Sequence, residues 1–376
     1  MPSAINNDRC FEIASPGPLP ECLRDGQGQK VRFYASGREA LIALCRSFNV
    51  SDAPAVFLPA FVPEGVYAPF KVSGWRIVLY QVDRELDPAW DHLEGLLRHC
   101  PPLVAVLIHY FGLPKPVERF RRLCHRHGTW VVEDMAHAYL GETENGPLGR
   151  TGDVVLYSFP KMMGVPDGAA LVVRRELPGG RLPRGRESFL HRVYVIQRLL
   201  ELAGASIVNR LANRWGRVAG RAVGRLIPFS SYAVLMRYFR NPAPMSRPSC
   251  VLLRRVDHER LRHQRRTLAR LYARNLDRSR FDVFAGADAS GNVMMGFPVR
   301  VKDRASLIRH LAAHCIAGVS FTDRWHFIPP HDEAAFRDAL DVMQSHFLFP
   351  LHQRLSERQV ERVIEVANHW KDQDHG

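Results

Sequence analysis

The chain has 376 residues, of which 46% are hydrophobic and 24% charged, a composition typical of a folded globular protein. Its seven cysteines are scattered and none forms a Cys-x-x-Cys pair, which argues against a disulfide framework and a structural zinc site, so we expect no metal. The first residues lack a signal-peptide pattern and no apolar run is long enough to span a bilayer, so we expect a cytoplasmic protein.

The net charge of +14 is concentrated in one segment. Residues 181–250 contain 13 arginines, no lysine and only two acidic residues. Because the basicity is local, we expect no nucleic-acid binding by the chain as a whole. Lysine is rare throughout, with six residues against 46 arginines.

From about residue 30 to 175, short apolar runs alternate with helical patterns. The predicted strands are 55–59, 76–82, 103–112, 129–134, 153–159 and 168–173. The predicted helices are 37–48, 89–100 and 116–128. Strands rich in Val and Leu that alternate with helices predict an α/β fold with a mostly parallel sheet flanked by helices. The last two strands are joined by a short turn, which is compatible with an antiparallel pair.

Residues 181–250 interrupt this alternation with an arginine-rich insertion. Apolar residues recur at helical spacing from 196 to 226, with a stripe of arginines from Arg210 to Arg225 one position earlier. Gly216, Gly220 and Gly224 form a third stripe, of the type that permits close helix approach.

Two interpretations of the insertion remain open. The favoured one packs its helices on the sheet or on a partner subunit and leaves the arginines in solvent. The other is a contact with an anionic partner, either a phosphorylated substrate carrier or the face of a membrane.

The end of the chain has a different organisation. A long helical pattern covers 250–276, and a strand, helices and a loop follow to residue 376. We therefore predict a large domain over 1–250 and a smaller C-terminal α+β domain over 251–376.

Polar side chains follow three of the predicted strands. Asp134 ends one strand, His109 and Tyr110 another, and Ser158 and Lys161 a third. In a parallel α/β sheet, functional groups gather at the carboxyl ends of the strands. His109 and Tyr110 are more typical of packing at a strand end, so we leave them outside the catalytic set.

This combination of groups suits pyridoxal 5'-phosphate. A lysine holds the cofactor aldehyde as a Schiff base, and an acid keeps the pyridine nitrogen protonated. A hydroxyl and a helix N-terminus hold a phosphate, and Ser36-Gly37 opens an amphipathic helix directly. Each of these features also has an ordinary structural explanation, such as a helix cap or a solvated turn lysine.

The order of motifs over nearly the whole chain resembles the DegT/StrS-type sugar aminotransferases, a family of fold-type I pyridoxal phosphate enzymes. The matching stretches are "SGREAL", "LPAFVPEGVYAPF", "LIHYFGLP", "VVEDMAHAYLGE", "GDVVLYSFPK", "RRTLARLY", "DRW" and "FPLHQRLSERQVERVI". Each motif is only moderately specific, but the order and spacing that they share with the family are strong evidence for the resemblance. The resemblance implies an aminotransferase that works as a homodimer.

The resemblance also implies roles for individual residues. Lys161 is the Schiff-base lysine, Asp134 pairs with the pyridine nitrogen, and His137 stands where relatives usually have a Gln that faces the phenolic oxygen of the cofactor. The phosphate site is formed by Ser158 together with Ser36 and the amides of Gly37 and Arg38.

Three departures from the family pattern bear on substrate and reaction. Arg38 replaces a Thr that binds phosphate, and Pro63 stands where an aromatic residue is expected to stack on the cofactor ring, with Phe61 nearby but out of register. The spacing from Ser158 to Lys161 is shorter than in most relatives.

The first hypothesis is therefore transfer of an amino group from an amino acid to a keto-sugar, nucleotide-linked or not, or to a related biosynthetic ketone. The alternatives are dehydration or carbon–carbon bond formation with the same cofactor, and a non-catalytic, membrane-associated relative. Retention of both Lys161 and Asp134 argues against the non-catalytic alternative.

Overall fold

The computed structural model describes residues 19–24, 28–50, 53–212, 242–321 and 324–371. From Arg214 onward, the predicted arginine stripe of the insertion lies outside these ranges, and so do the three stripe glycines.

The first part of the chain alternates strands and helices. Its elements are β1 (Lys30–Tyr34), α1 (Gly37–Ser47), β2 (Ala55–Pro59), α2 (Glu64–Val72), β3 (Arg76–Tyr80), α3 (Trp90–His99), β4 (Val104–Ile108), α4 (Val117–His125), β5 (Trp130–Asp134), β6 (Glu142–Thr143), β7 (Gly146–Pro147), β8 (Val154–Ser158) and β9 (Ala169–Val173). Seven of these strands form one sheet in the order β1-β9-β8-β5-β4-β2-β3. Strand β9 runs antiparallel to both of its neighbours, and the remaining pairs are parallel.

The predicted α/β fold is confirmed. Each predicted strand of this sheet is present, with unchanged bounds for β2 and shorter bounds for the others. The expected strand 103–112 was too long, because the extended conformation stops at Ile108 and a 3-10 turn follows over Tyr110–Gly112. Phe111 in that turn has a φ of 59°, which an extended strand cannot contain. Strand β1 and helix α2 were not predicted.

The second part of the chain contains the start of the insertion and a smaller sheet. Its elements are α5 (Phe189–Ala212), α6 (Arg247–Arg255), α7 (His258–Asn275), β10 (Asp282–Val283), β11 (Phe297–Arg300), α8 (Arg304–Ala313), α9 (Arg337–Ser345), β12 (His346–Phe349) and α10 (Glu357–Asn368). Strands β10, β11 and β12 pair antiparallel in that order.

The single helix predicted over 250–276 was wrong, since two helices occupy this stretch. Val256 is extended, with φ −71° and ψ 127°, and ends α6. Asp257 then caps α7, because its side chain accepts a hydrogen bond from the amide of Arg260 at 2.9 Å.

The core lies between the large sheet and its helices. All residues of β2, β4, β5 and β9 are buried, as expected for strands covered on both faces. Over the described ranges, no helix combines the length and the apolar character that a membrane crossing requires.

Candidate active site

One face of the large sheet presents an acid and a hydroxyl at the carboxyl ends of adjacent strands. Asp134 is the last residue of β5 and pairs with Leu156 of β8, so the two side chains leave the sheet on the same face. Ser158 ends β8 two residues after Leu156 and therefore lies on that face as well.

Helix α1 begins beside these residues. A Cβ added at Gly37 would lie 3.8 Å from the Leu156 side chain, so the helix start sits directly on this part of the sheet. Ser36 is the N-cap, and its Oγ accepts a hydrogen bond from the Glu39 amide at 3.4 Å and donates one to Glu39 Oε2 at 3.0 Å. The N-terminus of a helix carries a partial positive charge, which suits an anion.

Glu39 is an acid that the sequence reading did not single out. Its side chain is 1% exposed and also accepts a hydrogen bond from the amide of Ala243 at 3.2 Å. Burial raises the pKa of its carboxyl group to about 7, against the lowering effect of the Ser36 hydrogen bond. A buried carboxyl group that binds a proton near neutral pH therefore lies in the first turn of α1.

Lys161 and His137 are in contact. Lys161 ends the 3-10 turn Phe159–Lys161, and its Nζ lies 3.0 Å from His137 Nε2. The amide of Phe111 donates to His137 Nδ1 at 3.2 Å, so a neutral imidazole carries its proton on Nε2. That proton bonds to Lys161 Nζ when the lysine is a neutral amine, the form that attacks an aldehyde.

Asp134 is a buried acid that lines the same cleft as this pair. It is 2% exposed, and its Oδ1 accepts a hydrogen bond from the amide of Ala136 at 2.8 Å. Burial raises the pKa of Asp134, and the charge of Lys161 acts in the opposite direction. A carboxyl group in this setting is stabilised as an anion by a cationic partner such as a protonated ring nitrogen.

Arg38 extends from α1 across to the start of α2. Its Nε would lie 3.7 Å from a Cβ added at Gly65, so the side chain covers that glycine. The charge of Arg38 also acts on Tyr194 of α5. Burial raises the pKa of Tyr194, and the charges of Arg198 and Arg38 partly oppose this rise. Arg38 therefore borders the cleft, and its charge acts on the first helix of the insertion.

All seven predicted site residues line one cleft of about 340 Å³. They are Ser36, Gly37, Arg38, Asp134, His137, Ser158 and Lys161. Pyridoxal phosphate needs an amine, a buried acid and an anion site around one cavity, and these residues supply all three. The residues that line this cleft therefore suit pyridoxal phosphate.

The opposite wall of the cleft comes from the C-terminal part of the chain. Phe321, Arg324 and Trp325 line it, and Trp325 and Phe321 stack with ring centroids 4.8 Å apart. The amide of Phe321 donates to His346 Nε2 at 2.8 Å, and burial lowers the pKa of His346 to about 4. This wall gives the cleft an aromatic side, which Pro63 cannot supply because its ring is not aromatic.

Sequence reasoning missed these wall residues as site residues, although the "DRW" motif contains two of them. Phe61, considered for ring stacking, is fully buried and contacts Trp325 at a centroid distance of 4.6 Å. A loop that places two aromatic residues four positions apart is the sequence signal that was available.

The residues next to the predicted set have structural roles. Glu133 is completely buried and accepts hydrogen bonds from His109 at 3.1 Å and from the amides of Gly149 and Gly152 at 2.8 and 2.7 Å. Tyr110 donates its hydroxyl to the Phe61 carbonyl at 2.6 Å. His109 and Tyr110 therefore pack at a strand end, as expected.

The sequence matches the model of the DegT/DnrJ/EryC1/StrS aminotransferase family over residues 33–177 and 249–367. The chain therefore belongs to this family, and the predicted family, transaminase class and pyridoxal phosphate cofactor are confirmed. A curated relative is the UDP-N-acetyl-3-dehydro-alpha-D-glucosamine 3-aminotransferase of Acidithiobacillus ferrooxidans, which is 26% identical over 155 residues. That match covers 40% of this chain and 42% of the relative, so it spans about two fifths of the relative's length.

Solved structures share the fold along nearly the whole chain. The aminotransferase TlmJ of Streptoalloteichus hindustanus is 23% identical with a TM-score of 0.65, covering 93% of this chain and 87% of its own. DesV of S. venezuelae, solved with a ketimine intermediate, is 19% identical with a TM-score of 0.64, covering 90% and 84%. PseC of Helicobacter pylori, an aminotransferase involved in the biosynthesis of pseudoaminic acid, is 15% identical with a TM-score of 0.63, covering 96% and 98%.

Proposed function

We propose that this chain transfers an amino group from an amino acid to a keto-sugar or a related biosynthetic ketone, with pyridoxal 5'-phosphate held on Lys161. The observation that carries the proposal is the contact of Lys161 Nζ with His137 Nε2 at 3.0 Å in a cleft that also contains buried Asp134. The name of the A. ferrooxidans relative supports a keto-sugar, which is nucleotide-linked in that protein.

Each residue has a defined part in this proposal. Pyridoxal phosphate, when bound, supplies an aldehyde that joins Lys161 Nζ with loss of water, and a ring that accepts an electron pair. Asp134 holds the proton of the ring nitrogen, and His137 holds Lys161 Nζ in place. As a free amine, Lys161 moves a proton to and from the substrate carbon.

The anion site is assigned to the start of α1. Gly37 and Arg38 of its first turn line the cleft together with Ser158, and the proposal uses their amides and the Ser158 hydroxyl as phosphate donors. Arg38 adds a cation in place of a hydroxyl, which favours a doubly charged phosphate. The Ser36 hydroxyl is engaged with Glu39, so we propose that Ser36 contributes through the helix cap.

Visible absorbance tests the proposed reaction. Purified protein with added pyridoxal phosphate is expected to turn yellow, to bleach with glutamate and to recover its colour with a UDP-linked keto-sugar. Lys161→Ala is expected to lose this response, whereas Lys302→Ala, an exposed lysine in the second half, is expected to keep it. Colour that no amino donor bleaches would contradict transamination and favour dehydration or carbon–carbon bond formation.

The remaining proposals concern the whole protein. We propose a cytoplasmic homodimer with a large domain over 1–250 and a small domain over 251–376. We keep the packing of the arginine-rich insertion on the protein as the favoured interpretation. Co-sedimentation with anionic vesicles at low salt tests the membrane alternative, and absence of binding would exclude it.

A further inference from the structure

Arg265 is a completely buried arginine in the middle of α7. Its side chain is 1% exposed. Its guanidinium donates hydrogen bonds to main-chain carbonyls of three separate segments: Nη1 to Met294 at 2.7 Å and to Leu351 at 2.8 Å, and Nη2 to Met162 at 2.9 Å. Removing a guanidinium from water costs several kcal/mol, and these charge-assisted bonds offset that cost.

The Nη2 branch supports Lys161. Met162 is the residue that follows Lys161, and its amide closes the 3-10 turn by donating to the Phe159 carbonyl at 3.0 Å. Arg265 binds the carbonyl of this same Met162. The guanidinium therefore holds the end of the turn from which the Lys161 side chain extends.

The Nη1 branch supports His137. Arg265 holds the carbonyl of Met294, and the next residue, Met295, donates its amide to the Phe111 carbonyl at 2.8 Å. The amide of Phe111 in turn donates to His137 Nδ1. The packing is close, because a Cβ at Gly112 would lie 2.5 Å from Met294 Cα and 2.8 Å from the His137 carbonyl oxygen.

We propose that Arg265 is a positioning residue, whose guanidinium fixes the separation of Lys161 and His137 by holding the main-chain supports of both. A planar fork with donors in two directions reaches both supports at once, whereas a lysine ammonium does not have this geometry. The inference rests on the proposed function, because it concerns the lysine assigned to the cofactor.

Arg265→Lys and Arg265→Gln test the proposal, with Arg266→Lys and Arg266→Gln as matched controls. Arg266 is the neighbouring residue on the same helix, and it binds Glu142 at 2.7 Å and the Gly291 carbonyl at 2.9 Å. The first readout is the rate at which added pyridoxal phosphate develops absorbance. The second is hydrogen exchange of the peptide covering 159–165 in the protein without cofactor.

We expect both Arg265 variants to develop absorbance at least tenfold more slowly and to exchange amide hydrogens faster over 159–165. The pH at which absorbance development is half-maximal is also expected to shift. The Arg266 variants are expected to stay within twofold of the parent. Parent-like rates and exchange in the Arg265 variants would overturn the proposal, and so would loss of the folded state in both, which indicates a purely structural role. Failure of the parent itself to develop absorbance would contradict the proposed function, while the exchange experiment would still decide the role of Arg265.

Discussion

The buried carboxylate of Asp134 is the residue on which the electronic role of the site depends. Asp134→Asn keeps the shape of the side chain but removes its charge. We expect this variant to lose at least about a hundredfold in turnover, since removing one group that stabilises developing charge commonly costs that much. Steady-state rates at saturating cofactor measure the effect. Asp91→Asn, an exposed residue of α3, serves as the control, and equal rates for the two variants would contradict the assignment.

Glu39 makes stability depend on pH. Its carboxyl pKa is raised from 4.5 to about 7, so the folded state binds more protons than the unfolded chain between these values. Ionising the buried carboxyl group therefore lowers the free energy of unfolding. This cost is absent below pH 4.5 and reaches about 3 kcal/mol above pH 7. His191 lies in the same cluster. Burial lowers its pKa, but the hydrogen bond to Asp167 and the negative charges of Asp167 and Glu39 together outweigh this effect, so the pKa is raised.

Glu39→Gln is accordingly expected to melt a few degrees above the parent at pH 8. Near pH 5 the difference should shrink, because the parent carboxyl is then protonated in the fold. Thermal unfolding of both proteins across this range measures the effect. A difference that is independent of pH would contradict the origin assigned to it.

At the scale of elements, Asp167 connects the loop between Lys161 and β9 with both ends of the insertion. Its carboxylate accepts hydrogen bonds from His191 near the start of α5 at 2.8 Å and from the Ser246 hydroxyl before α6 at 2.6 Å. The hydroxyl of Ser249 also donates to it. Asp167 is 2% exposed, so these hydrogen bonds replace those that its carboxylate would make to water.

Asp167→Asn leaves those donors with an uncharged and partly mismatched amide. We expect a loss of about 3 kcal/mol in the free energy of unfolding, as for other broken buried ion pairs. Urea unfolding measures the loss, with exposed Asp288→Asn as the control. A loss below about 0.5 kcal/mol, the range of surface substitutions, would contradict this role for Asp167.

The sequence predicted elements well where the pattern was local. Runs such as Ala55–Pro59 are buried on both faces, and their apolar composition identifies them directly. The break between α6 and α7 was missed because the apolar spacing continues across it, and only the capping geometry of Asp257 marks the boundary. Strand β1 was missed because the exposed Lys30 and Arg32 interrupt its apolar residues.

At the scale of the whole molecule, the site combines residues from distant parts of the chain. Lys161, Asp134 and the start of α1 were predictable because their chemistry follows strand ends in sequence. Trp325 reaches the same cleft only through tertiary packing. Arg265 opens the "RRTLARLY" stretch that resembles the family, but its position in the sequence gave no sign of its role, which only its burial and its contacts indicate.

The proposed homodimer is a prediction at this scale. Light scattering coupled to size exclusion is expected to give twice the chain mass of 42.8 kDa. The mass should hold at high salt if the contact is mainly apolar, because salt screens exposed ion pairs. A mass equal to one chain at micromolar concentration would contradict the dimer.

The most direct test of the central claim locates the cofactor on the chain. Protein with pyridoxal phosphate is reduced with borohydride, which converts a Schiff base into a stable amine, and the digested peptides are mapped by mass. We predict one pyridoxyl group on Lys161 and none at that peptide in Lys161→Ala. Labelling of another lysine, or equal incorporation in the variant, would contradict the account.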